Sequence, residues 1–105
     1  MKESKFQRDL IKELEELFPG CVIMKNDPTY IQGIPDLIIL YNDRWAMLEC
    51  KRSNKAGLRA NQDYYISKLN SMSFASFIYP ENKEDVLYGL QQALCSRRQT
   101  RFSKR

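Results

Sequence analysis

Two apolar runs separated by a polar dipeptide constrain this chain more than anything else in it. Leu37-Ile38-Ile39-Leu40-Tyr41 and Trp45-Ala46-Met47-Leu48-Glu49-Cys50-Lys51 flank Asn42-Asp43, a pair suited to a tight hairpin turn. Both runs are apolar on both faces until the second reaches Glu49. That is the pattern of strands in the middle of a layered α/β domain. Side-chain alternation then divides the second run: Trp45, Met47, Glu49 and Lys51 share one face, while Ala46, Leu48 and Cys50 share the other. Asp36 opens the first run, thirteen residues before Glu49, so a hairpin folded at Asn42-Asp43 returns Asp36 to the side of Glu49. Two carboxylates and a lysine then meet at one end of the hairpin.

The elements on either side complete a fold class. Phe6, Leu10, Leu14 and Leu17 recur at helical spacing, which predicts a first helix from about Lys2 to Leu17, ended by Pro19-Gly20. Cys21 to Lys25 reads as a short strand. Asn26-Asp27-Pro28 starts a polar loop, and Gly33 just before Ile34-Pro35 marks a backbone constraint that aims Asp36. Leu58, Gln62, Tyr65, Ile66, Leu69 and Met72 fit a second amphipathic helix, Phe74 to Tyr79 a further strand, and Val86, Leu87, Leu90 and Leu94 a last helix. The order α-β-β-β-α-β-α, with one strand reached through a helix, predicts an α/β fold with a small mixed sheet flanked by helices. At 105 residues this is a single domain with a single core.

Composition narrows the chemistry. Histidine is absent, which removes Ser-His and Cys-His nucleophiles and leaves three scattered cysteines, Cys21, Cys50 and Cys95, short of a structural zinc set. Their odd number and the lack of a C-x-x-C spacing, with no secretory leader pattern at the start, point to a reducing cytosol and a cytoplasmic location. No apolar run approaches the roughly 20 residues that span a bilayer, so no membrane association is expected. The net charge of +4 sits mostly in the last residues: Arg97, Arg98, Arg101, Lys104 and Arg105 have no acid among them and leave 12 basic against 13 acidic residues elsewhere. We therefore expect a folded domain over residues 1–95 and a basic, flexible tail over 96–105. Lys51, Arg52, Lys55 and Arg59 form a second basic cluster, placed to grip a phosphate backbone or simply solvated in a loop.

With histidine excluded, catalysis would have to run on carboxylates, lysine and metal. Hard oxygen ligands such as Asp36 and Glu49 suit Mg²⁺, with Mn²⁺ able to substitute, and Lys51 beside them can hold a water or a phosphate oxygen. Glu3 and Gln7 fall on the same helical stripe as Leu10 and Leu14, so an acid and an amide continue the buried seam. They are either site residues or a helix end that runs out into solvent, with Glu3 complementing the helix dipole.

Pro35-Asp36, a spacer and Glu49-Cys50-Lys51 resemble the PD-(D/E)xK nucleases, and more closely the VRR-NUC group found in bacteriophages and repair enzymes. The likeness extends to Glu3-Ser4-Lys5-Phe6-Gln7, to Gly33-Ile34-Pro35-Asp36-Leu37 and to Leu58-Arg59-Ala60-Asn61-Gln62. It implies a restriction-endonuclease-like core and a divalent-metal-dependent DNA endonuclease. By the same likeness Asp36, Glu49, Glu3 and the backbone carbonyl of Cys50 would hold the metal, Lys51 would act at the phosphate, and Gln7 and Gln62 would support the site. Lys25, Arg52, Lys55 and Arg59 are the candidate DNA contacts. The resemblance further implies a homodimer acting on branched DNA such as a Holliday junction, inside a phage-infected or prophage-carrying bacterium. No catalytic tyrosine is assigned, because Ile66 stands four residues after Gln62 where some related nucleases have one. Two other functions fit the same residues: an inactive nucleic-acid-binding module, and an interaction subunit of a replication or repair assembly.

Overall fold

The computed structural model describes residues 2–95. The expected basic tail at 96–105 lies outside the described residues. The elements are α1 (Glu3–Leu17), β1 (Val22–Lys25), β2 (Leu37–Tyr41), β3 (Arg44–Cys50), α2 (Gln62–Met72), β4 (Phe74–Ile78) and α3 (Lys83–Cys95), in the order read from the sequence. The strands lie side by side as β1-β2-β3-β4. β1 and β3 run antiparallel to β2, whereas β4 runs parallel to β3, as a strand that returns through the α2 crossover must.

The central hairpin closes as its sequence predicts. Tyr41 pairs with Arg44, and Asn42 takes the left-handed conformation, φ 57°, which asparagine tolerates better than most residues. The second strand starts one residue earlier than expected and ends at Cys50. Lys51 still extends the ladder, its N–H donating to Ile78 O at 2.9 Å.

One face of the sheet carries the core. Phe6, Leu10, Leu14 and Phe18 of α1 and its C-terminal end, with Val86, Leu87, Leu90 and Leu94 of α3, cover Leu37, Ile39, Ala46, Leu48, Cys50 and Ile78. The chain past α1 turns at Gly20, φ 90°. The other face is closed only in part. α2 packs chiefly on β4, where Leu69 and Ala75 are buried, and leaves Ile38, Leu40, Trp45 and Met47 half-buried beside exposed Val22 and Met24. The expectation that the central strands are covered on both sides thus holds fully for one face.

α2 is shorter than its apolar periodicity suggested. Asn61 sits at φ 69°, outside the helical region, so the helix cannot begin before Gln62, and Leu58 stays in the loop at 59% exposure. Met72, at the other end, is also exposed.

Candidate metal and phosphate site

Register fixes the first part of the site. Leu37 opposes Leu48, so Asp36 comes back beside Glu49 at the open end of the hairpin. The Cys50 N–H donates to Asp36 Oδ2 at 2.9 Å, which ties the carboxylate to the β3 backbone. From the other side Asn26 holds the same segment: its backbone N–H donates to Asp36 O at 2.8 Å and its side-chain Nδ2 to Pro35 O at 2.9 Å. Asp27, next in the chain, accepts from the Thr29 N–H at 2.9 Å and from its hydroxyl at 2.6 Å, so the loop leading to Asp36 is built on local turns.

Gly33 has the conformation and the crowding that glycine alone accepts. Its φ is 91°, and a Cβ there would lie 2.6 Å from Asn61 Cβ and 2.7 Å from Ala60 O. The loop carrying Asp36 therefore packs backbone to backbone against the turn that starts α2. That turn delivers Gln62.

Gln62 links the acid and the lysine. Its Nε2 donates to Glu49 Oε2 at 2.9 Å, while its Oε1 accepts from Lys51 Nζ at 2.7 Å and from the Arg59 N–H at 2.9 Å. Lys51 also donates to Gly57 O at 3.1 Å. Glu49, Lys51 and Gln62 are 3%, 6% and 7% exposed, a degree of burial that charged residues reach only inside a bonded network. Glu49 and Lys51 do not form a salt bridge with one another; the amide of Gln62 stands between them. An ammonium has three protons, and two of those on Lys51 are committed to the protein.

Glu49 Oε1 is buried and accepts no hydrogen bond from an N–H or O–H group. Asp36 stands against it. Burial first, and then the charge of Asp36, push the Glu49 carboxyl up to about 8, against a smaller opposing pull from Lys51. Burial also raises Asp36, opposed by the Cys50 N–H. Two buried carboxyl groups in contact share a proton unless a cation replaces it.

The site opens into a cleft of about 240 Å³, walled by Asp36, Glu49, Lys51 and Gln62, by Glu3, and by the two interlocked loops. A wider groove of about 480 Å³ continues from it past Lys2, Arg52, Gly57 and Arg59. Both share Glu3, Lys51 and Arg59.

Of the residues singled out in the sequence, Asp36, Glu49, Lys51 and Gln62 are brought together, and Arg52 and Arg59 line the adjoining groove. Glu3 reaches the cleft wall as an exposed side chain. Gln7 does not line the cleft: it sits on the core side of the sheet against the Cys50 thiol, which burial pushes up to about 12. One helical turn from Glu3 carries the stripe behind β3. Lys25 lies on β1 facing α1, and exposed Lys55 lines neither cleft nor groove. Asn26 and the carbonyl of Gly57 escaped sequence reading. Asn-Asp-Pro signals a turn, but no local pattern tells that the asparagine amide will reach across to Pro35.

Among the described residues no group of three or more acidic, histidine or cysteine side chains gathers at metal-binding spacing. The acidic donors at hand are thus two, with the Cys50 carbonyl in the same stretch of backbone. Two carboxylates suffice for Mg²⁺, which keeps most of its waters and takes further oxygens from a phosphate. The donor set fits such an ion. Comparison with protein-family models, with curated proteins and with solved structures finds no match for this chain.

Proposed function

We propose that the chain is a divalent-metal-dependent DNA endonuclease of the PD-(D/E)xK type, close to the VRR-NUC group that its sequence resembles. One observation carries the reading: buried Glu49, with an oxygen that no N–H group satisfies, stands against the Asp36 carboxyl beside a lysine with a proton to spare, all lining one cleft. A core-stabilising ion pair would look different, since Glu49 and Lys51 would bond directly and leave no oxygen orphaned.

Mg²⁺ or Mn²⁺ held by Asp36, Glu49 and the Cys50 carbonyl, with Glu3 through water, would polarise the phosphoryl oxygen and acidify a bound water. The protein's own part follows from its bonds. Gln62 fixes Glu49 in the orientation that leaves Oε1 free and holds the Lys51 ammonium at a set distance from it. Lys51 directs its third proton to a phosphate oxygen or to the attacking water, where it stabilises charge gathering on phosphorus. Arg52 and Arg59 hold neighbouring phosphates in the adjoining groove.

A domain this small offers little surface for reading base sequence, which favours recognition of branched DNA by shape. The half-covered sheet face around Val22, Met24, Ile38 and Leu40 supports a homodimer, the arrangement that two symmetric cuts in a junction need. The site of action on this reading is intracellular. No helix among the described residues is long and apolar enough to cross a membrane.

One observation favours an inactive nucleic-acid-binding or interaction subunit instead: the third acid of the expected set, Glu3, does not join the other two in a metal-sized cluster. Cleavage decides between them. A labelled four-way junction, a flap and a linear duplex are incubated with Mg²⁺, Mn²⁺ or EDTA, beside Asp36→Asn and Lys51→Ala variants. The nuclease reading expects metal-dependent cutting of a branched substrate that both variants abolish or cripple. Binding without cutting under either metal supports the inactive module.

A further inference from the structure

The outer side of α1 has a feature that the cleft does not use. Ser4, Arg8, Ile11 and Lys12 form one stripe of the helix and, with Lys25 of β1, line a groove of about 440 Å³. Arg8, Lys12 and Lys25 are exposed and make no salt bridge among the described residues. The nearby acids are already engaged: Asp9 accepts from Lys5 at 2.7 Å, and Glu13 from Lys83 at 2.9 Å. Glu15 stands at the far end of the groove.

Both walls of this groove lead to the cleft. On one side Ser4 follows Glu3, which lines the cleft. On the other, Lys25 precedes Asn26, whose amides hold Pro35 and Asp36. The charges of α1 are also sorted along it. Lys5, Arg8 and Lys12, preceded by the N-cap Lys2, occupy the part nearer the cleft together with two acids, Glu3 in the cleft wall and Asp9 paired with Lys5; Glu13, Glu15 and Glu16 occupy the part beyond, and the last turn carries no basic residue. A helix dipole accounts for Glu3 in the first turn but favours cations at the end, so it does not account for the acids gathered in the last two turns.

We propose that Arg8, Lys12 and Lys25 carry the phosphates of one nucleic-acid strand as it leaves the cleft on the side away from Arg52 and Arg59. Ser4, Arg8 and Lys12 follow one another at about 6 Å along the helix axis, close to the separation of successive phosphates in an extended strand. Ile11 gives the floor between them an apolar contact for sugar or base. Glu15 ends the track by repulsion, which limits it to about three phosphates past the cleft, one for each of Arg8, Lys12 and Lys25. This inference rests on the nuclease reading for its substrate class, and it adds a second arm to that substrate.

The test is a salt titration of binding in EDTA, read by fluorescence anisotropy with a labelled single-stranded oligodeoxynucleotide. Each phosphate contact to a single strand contributes about 0.7 to the slope of log affinity against log salt. The double variant Arg8→Gln/Lys12→Gln should flatten the slope by about 1.4, and Lys25→Gln, from the opposite wall, by about 0.7. Lys68→Gln, an exposed change on α2, should leave it unaltered. Melting temperatures of all variants should match the wild type, since none of these side chains is buried. Should the double variant unfold more easily, the Lys25→Gln slope alone decides. A slope unchanged in the α1 and β1 variants, an equal change in Lys68→Gln, or no wild-type binding at the lowest salt overturns the track. Cleavage of a flap in Mg²⁺ separates the two ideas. Cutting with unchanged slopes removes the track and keeps the nuclease, and altered slopes without cutting do the opposite.

Discussion

Cys50 and Glu49 are neighbours in β3 and both are buried, yet they belong to different worlds. Cys50 looks toward α1 and α3, into a continuous apolar core. Glu49 looks the other way, into a network of Gln62, Lys51 and Asp36 that leaves one oxygen without a donor. The period of a strand is two, so one seven-residue element builds a closed apolar face and a polar face that opens to the cleft at once. The first face is closed by two helices. The second is covered by one short helix, and its open end is where a cleft can exist.

That division predicts which measurement each face controls. Leu48→Ala removes three side-chain carbons from the closed face and should cost about 2–5 kcal/mol of stability, enough to unfold much of a domain this size at moderate temperature. Lys51→Ala, three residues along and on the open face, should on the nuclease reading lower cleavage by about 10²–10³-fold while the protein stays folded. It stays folded because the Gln62 Oε1 keeps the Arg59 N–H as a donor. Denaturation midpoints and single-turnover rates on both variants would break the comparison if they changed together. Gly33→Ala sits between the two extremes. A Cβ at φ 91° against Asn61 costs about 1–3 kcal/mol, and any relief must move the Asp36 loop relative to Gln62. Reduced stability with intact cutting would show that the two loops need not stay locked.

The closed face was legible in the sequence because its signals are local and periodic. Phe6, Leu10 and Leu14, the hairpin turn at Asn42, and Val86, Leu87, Leu90 and Leu94 all appear where their spacing puts them. The open face was legible only in part. Strand alternation places Glu49 and Lys51 on one side, and the hairpin register returns Asp36 to them. That Gln62 would part the acid from the lysine, or that Gln7 would end behind the sheet against Cys50, depends on how helices cross strands, which no pattern of spacing records. Leu58 misled for a related reason: an apolar residue four positions before Gln62 looks like the same stripe, but the left-handed Asn61 breaks the helix between them.

pH offers a gentler way to set the faces apart. Without metal, burial and the Asp36 charge hold the Glu49 carboxyl at about 8, against 4.5 for an ordinary glutamate. A raised carboxyl pKa means that the folded protein binds a proton that the unfolded chain has released, so its contribution to stability is complete below about 4.5 and is lost as pH rises through 8. Asp36 shifts in the same direction and adds to the slope. Urea denaturation in EDTA at several pH values should therefore show stability falling from acid to pH 8. Glu49→Gln should flatten that fall, since its carbonyl still accepts from Gln62 and its amide can donate to Asp36. An unchanged slope in the variant would mean that the carboxyl pair does not hold the proton.

The smallest effect belongs to Leu58, and it tests the boundary between the faces. A side chain on the buried stripe of a helix costs several kcal/mol when made polar, whereas one in an exposed loop changes stability by no more than about 0.5 kcal/mol. Leu58 is 59% exposed and one residue from Arg59, whose N–H supports Gln62. Leu58→Ser should thus leave the denaturation midpoint almost where it was. A loss of 2 kcal/mol or more, of the size seen when buried leucines are truncated, would place Leu58 inside a core and extend α2 back across Asn61. In that case the turn that presents Gln62 to Glu49 and Lys51 would not exist in solution, and the open face would have to be drawn again.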